Sequence, residues 1–102
     1  MKRSTLRLDG IFPPVPTPFD REDRLDSRAL AANLRAWNRF DLRGYVMLGS
    51  NGEYVLLEET EKLELLRAAR EHIPSGKLLI AGTGAESTRE TLRLSRKAAE
   101  IG

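Results

Sequence analysis

Two apolar periods alternate along this chain. Short apolar runs at Gly10-Ile11-Phe12, Tyr45–Leu48 and Leu78–Ala81 are each followed by a longer stretch in which apolar residues recur every three or four positions. Runs of the first kind predict strands, and stretches of the second predict amphipathic helices. Asp26 suits the N-cap of a first helix, with Leu25 and Leu30 spaced as a hydrophobic staple across it. Leu30, Leu34 and Trp37 would form its buried face, so Trp37 reads as core. A second helix is predicted over 58–72, with Leu63, Leu66 and Ile73 inward. Its first turn carries Glu58, Glu59 and Glu61, which suit the positive end of a helix dipole. Pro74-Ser75-Gly76 breaks that pattern. Ser87 and Glu90 have capping-box spacing for a third helix, with Leu94, Ala98 and Ile101 on its apolar side and Gly102 as a natural terminator.

The punctuation between these elements narrows the fold. Pro13, Pro14, Pro16 and Pro18 forbid a central strand or a helix there, so the brief strand at 10–12 should end in an extended, rigid loop. Leu78–Ala81 is unalternated, as expected of a strand covered on both faces. Three successive β-α units predict a parallel sheet with right-handed crossovers. Polar residues and glycines gather where each strand ends, and that edge binds ligands in barrels and doubly wound sheets alike.

Composition removes several classes of function. With 102 residues the chain, 1–102, is at most one small domain, and no linker or low-complexity segment divides it. No apolar run is long enough to cross a bilayer, so no membrane partner is expected. Met1–Arg7 is basic, but no apolar segment follows it, so no signal peptide is expected. Cysteine is absent, which excludes disulfides, thiolate metal sites and cysteine nucleophiles and fits a cytoplasmic protein. The net charge of +2 is interleaved, as in Glu61-Lys62 and Arg89-Glu90, and aromatic residues are few, so no nucleic-acid partner is expected.

The densest chemistry lies in Gly44–Glu53, where an apolar run meets a polar turn, Gly49-Ser50-Asn51-Gly52-Glu53. Gly49 and Gly52 are expected to let the backbone bend sharply and to leave N–H groups open to a ligand, with Ser50 and Asn51 between them. Such a turn can hold a small carboxylate. Glu53, a carboxylate beside the turn, is a candidate general base. Tyr54 either lines the pocket or packs beneath the turn. His72, at the end of the second helix, should interact with the last carbonyls. Gly82-Thr83-Gly84 lacks the spacing of a phosphate loop and reads as a tight strand-to-helix turn. Lys2, Lys62, Lys77 and Lys97 read as solvated surface.

Gly10-Ile-Phe-Pro-Pro-Val-Pro-Thr-Pro-Phe19, Gly44–Glu53 and Leu79-Ile-Ala-Gly-Thr-Gly84 stand in an order and spacing that resemble the N-terminal part of the dihydrodipicolinate synthase/N-acetylneuraminate lyase family. The resemblance runs from about Gly10 to Gly102. It implies an α/β fold built of the first three β-α units of a (β/α)8 TIM barrel. At the centre of the turn the synthases typically carry Thr-Thr and the sialic acid lyases Ser-Thr. Ser50-Asn51, followed by Gly84-Ala-Glu-Ser-Thr88, is more similar to the 4-hydroxy-2-oxoglutarate aldolase branch. The family acts through a lysine that forms a Schiff base with the keto carbon of pyruvate, and a tyrosine relays protons; no cofactor and no metal is implied. The resemblance assigns Ser50 and Asn51, with Gly49 and Gly52, to the carboxylate of a small 2-oxo acid, sets Thr17 beside the site through its hydroxyl, and makes Glu53 a structural residue of the turn that accepts backbone hydrogen bonds rather than a base. It implies a homo-oligomer, a tetramer, for the full-length protein.

A complete barrel needs about 250 residues, so three units are an incomplete sheet with open edges. None of the lysines present matches the nucleophile's motif, and neither Tyr45 nor Tyr54 matches the relay position, so no catalytic residue is expected within 1–102. Three readings follow. The chain is the N-terminal fragment of a Schiff-base lyase, inactive alone, with dihydrodipicolinate synthase proper as a variant. Or it is a stand-alone remnant that associates through its open sheet edges. Or it is a doubly wound ligand-binding domain, against which the turn motifs speak.

Overall fold

The computed structural model describes residues 6–102, so Lys2 and the rest of the basic start lie outside it. Five regular elements follow one another: α1 (Ser27–Trp37), β1 (Gly44–Met47), α2 (Glu59–His72), β2 (Leu78–Ala81) and α3 (Thr88–Ile101). β1 and β2 pair in parallel, Gly44 with Leu78 through Met47 with Ala81, and α2 is the crossover between them. None of the described helices is long and apolar enough to cross a membrane.

The first predicted strand is displaced. Residues 10–12 form no regular strand, and the chain instead meets β1 through a single parallel bridge, Pro14 to Val46. Val15 N–H donates to Val46 O (2.9 Å), and Val46 N–H and Arg43 N–H donate to Pro13 O and Ile11 O (both 3.0 Å). The prolines shape this pairing without preventing it. Pro13 and Pro14 have no N–H to give, so a ladder cannot continue, but their carbonyls still accept.

Helix starts follow the capping chemistry. Asp26 accepts from Ala29 N–H at 3.0 Å and Ser87 Oγ from Glu90 N–H at 3.1 Å. At α2 the Glu61 carboxylate reaches back to Glu58 N–H at 2.9 Å, which satisfies a donor that the helix itself cannot. Gly102, at φ +94°, closes α3 with its N–H on Ala99 O. His72 Nδ1 lies 2.9 Å from Ala68 O in the last turn of α2, as its position suggested.

All three helices cover one face of the sheet. Tyr45 and Met47 point into a core with Leu30 and Leu34 of α1 and Leu65, Leu66 and Ala69 of α2, while Leu79, Ala81, Ala98 and Ile101 pack against it. Trp37 joins this core beside Tyr45, with ring centroids 6.4 Å apart. The opposite face carries the row Pro14–Val46–Ile80, and Ile80 is 38% exposed. β2 is therefore covered on one face only, contrary to its unbroken apolar sequence.

Candidate active site

The polar turn stands where expected, at the C-terminal end of β1, but its bends are made differently. Residues 50–52 form one 3-10 turn, closed by Gly52 N–H to Gly49 O and Glu53 N–H to Ser50 O, each 3.0 Å. The left-handed backbone lies on Leu48 (φ +60°) and Glu53 (φ +57°), the residues just outside the turn. Gly49 has φ −83°, open to any residue, and a Cβ there would make only ordinary contact with Val46. Gly52 is a glycine for space: a Cβ would lie 3.2 Å from Val15 O and 3.3 Å from Thr17 Oγ1. The expectation that two glycines bend the chain is thus corrected. A buried leucine and an exposed glutamate do so, and such positions are uncommon for residues other than glycine.

Thr17 is where the sequence placed it and is engaged. Its side chain is buried, and Oγ1 donates to Gly52 O at 2.7 Å across 35 positions of sequence. This bond fastens the proline-rich segment to the far side of the turn. Ser50 and Asn51 are exposed, and their N–H groups precede the first bond of the 3-10 turn, so the turn does not consume them. The structure thus brings Thr17, Gly49, Ser50, Asn51 and Gly52 together at one strand end.

The remaining candidates separate from this cluster. Among the described residues no backbone N–H is bound by the Glu53 carboxylate, so its part in the turn is the left-handed backbone rather than the expected acceptor role. Tyr54 packs against the core, with Lys62 Nζ 5.7 Å from its ring centroid, which favours packing over a pocket role. Lys97 lies 3.3 Å from Glu59. Lys77 is not a free surface charge: Nζ donates to Phe40 O (3.0 Å) and Leu42 O (2.8 Å) and staples the loop before β1. Gly82-Thr83-Gly84 is a strand-to-helix connection, tied to α3 by Thr83 Oγ1 and Ser95 Oγ at 2.8 Å.

Sequence reasoning missed a second polar cluster at the opposite end of β1. Tyr45 Oη donates to Asn38 Oδ1 (2.7 Å), and Asn38 Nδ2 donates to His72 O (2.8 Å), which joins β1 to the ends of α1 and α2. Burial pushes the Tyr45 phenol above its ordinary value, so it stays neutral and donates. Its only sequence signal was a lone asparagine at the end of a helical pattern.

Residues 7–102 match the model of the dihydrodipicolinate synthetase family. An uncharacterized DapA-like lyase from Halobacterium salinarum is 36% identical over 95% of the chain and 32% of its own length. The crystal structure of YagE from Escherichia coli K12, in complex with pyruvate, superposes with a TM-score of 0.87 at 34% identity, over 93% of this chain and 32% of that one. The 4-hydroxy-tetrahydrodipicolinate synthase of Methylacidiphilum fumariolicum superposes with a TM-score of 0.89 at 30% identity, over 94% and 32%. The chain spans about a third of the length of the relatives it matches.

Proposed function

The chain belongs to the dihydrodipicolinate synthetase family, and on that premise we propose that it supplies the first three β-α units and the substrate-carboxylate turn of a lyase for pyruvate-type 2-oxo acids. The observation that carries this reading is the Thr17–Gly52 hydrogen bond, which holds the turn while leaving Ser50 and Asn51 exposed. The Ser50 hydroxyl and the Ser50 and Asn51 N–H groups would donate to the carboxylate, in charge-assisted bonds stronger than neutral ones. Gly49 and Gly52 frame that contact, and Thr17 braces it. That a relative of 34% identity was solved with pyruvate supports the substrate class.

In this reading residues 1–102 form the N-terminal part of a barrel domain, and the chemistry comes from units outside them. A lysine amine there would condense with the keto carbon, releasing water, and the protonated imine would take up the electron pair of the breaking carbon–carbon bond. The turn positions the keto carbon for that attack. It takes no part in bond making, and no metal or further cofactor enters the scheme.

Borohydride trapping with pyruvate tests the proposal. No covalent adduct is expected on residues 1–102 alone, and one is expected on the full-length lyase, outside these residues. An adduct on Lys62 or Lys77 would overturn the assignment of the chemistry. In the full-length lyase, Ser50→Ala with Asn51→Ala should raise KM for the 2-oxo acid about tenfold or more. Unchanged turnover kinetics would sink the carboxylate role.

A further inference from the structure

Each end of the turn is fixed through one peptide unit, and a different neighbouring segment does the fixing. At the far end Thr17 holds the Gly52 carbonyl, and the Glu53 N–H in the same planar unit closes the 3-10 turn on Ser50 O. At the near end stands Gly82, the first residue after β2. Its N–H donates to Met47 O at 2.8 Å, and it lies directly against the next peptide unit, Leu48–Gly49. A Cβ on Gly82 would overlap Leu48 O and come within 2.9 Å of Leu48 C, where only backbone movement could relieve it. Leu48 meanwhile is pinned by its buried side chain in the left-handed region. With the side chain fixed, the adjustable part is the Leu48–Gly49 plane, and that plane aims the chain into Ser50 and Asn51.

We propose that Gly82 is a positioning residue for substrate binding: by admitting the Leu48 carbonyl against the end of β2, it sets the direction of the Ser50 and Asn51 donors. The inference rests on the reading that this turn holds the substrate carboxylate. Gly82 touches no substrate in this account and acts only through Leu48. The turn is then correctly aimed only when both flanking segments, the one ending at Thr17 and the one ending at Gly82, are in place.

The test uses the full-length lyase and three variants. Gly82→Ala should raise KM for pyruvate about tenfold while kcat changes by less than about threefold, the pattern of lost binding rather than lost chemistry. Combined with Ser50→Ala and Asn51→Ala it should raise KM by less than the product of the two separate effects, because the hydroxyl and the backbone N–H groups share one carboxylate. Leu48→Gly, which leaves Gly82 in place but frees the peptide plane, should also raise KM; it decides the matter if Gly82→Ala does not fold. A normal KM in a folded Gly82→Ala protein, or full additivity with the Ser50/Asn51 change, overturns the inference, as does a normal KM in Leu48→Gly. Should the Ser50/Asn51 change itself leave KM untouched, the carboxylate reading fails first, and that outcome is distinct from a failure confined to Gly82.

Discussion

β1 has two ends that treat polar groups in opposite ways. At its start the Tyr45 phenol, the Asn38 amide and the Lys77 ammonium each bond to a group inside the chain, closing carbonyls of the preceding loop and of α2. At its end Thr17 satisfies one carbonyl, Gly52 O, while Ser50 and Asn51 remain exposed. One strand thus separates a closed, stabilising edge from an open one. The lesson is that polarity alone does not mark a site. What distinguishes the two ends is whether the polar groups are already used within the fold.

Substitutions can break or sharpen that contrast. The largest stability effect should come from the closed end. Tyr45→Ala removes a fully buried aromatic ring and its bond to Asn38, and should cost about 3–5 kcal/mol in chemical denaturation. Ser50→Ala with Asn51→Ala should stay within about 0.5 kcal/mol by the same measurement, as exposed positions do. Equal costs at the two ends would erase the distinction.

Thr17→Val sits between these extremes, because Thr17 belongs to the open end but is buried. It leaves Gly52 O without its partner and should cost about 1–3 kcal/mol. Unlike Tyr45→Ala, it should also raise KM for the 2-oxo acid, and Thr17→Ser should restore both. Stability loss without a KM change would assign Thr17 to the closed class.

The smallest effect concerns neither end. Glu59 on α2 holds Arg93 of α3 through two bonds of 2.6 and 2.7 Å, with Lys97 at 3.3 Å. The Arg93 hydrogen bond, with help from Lys97, lowers the Glu59 carboxyl below its ordinary value of 4.5. A carboxyl lowered on folding stabilises at neutral pH, and that contribution fades as pH falls from about 4.5 through the lower folded value. The gap in unfolding midpoint between the wild type and Glu59→Gln should therefore close in acid. It should also shrink with added salt, since the pair is partly exposed. A gap that persists in acid would remove this ion pair from the account.

Much of this was legible in sequence because the signals were local. Asp26 and Ser87 announce helix starts through their own side chains, and Leu78–Ala81 is a strand at the bounds its composition suggested. The family followed from three motifs in register, and the placing of Thr17, Ser50 and Asn51 at one strand end followed with it. The misses depended on other parts of the chain. Leucine gives no sign of a left-handed backbone, so the bend at Leu48 was credited to Gly49. Prolines argued against pairing at 13–15, but acceptor carbonyls sufficed for a bridge. The apolar run of β2 suggested cover on both faces, and its second face meets nothing among the described residues that buries Ile80.

The prolines beside β1 have one more consequence. In an extended segment successive N–H groups point to opposite sides, and Val15 spends its own on Val46. The N–H groups of residues 14 and 16 would point away from β1, and both residues are proline. That outer edge can accept hydrogen bonds but is poor in donors, whereas on β2 the N–H groups of Leu78 and Gly82 turn to β1 and those of Leu79 and Ala81 are left for the free edge. The two borders of the sheet are therefore unlike: a strand laid along β2 meets donors and acceptors alike, while one laid along the proline border must supply the donors itself.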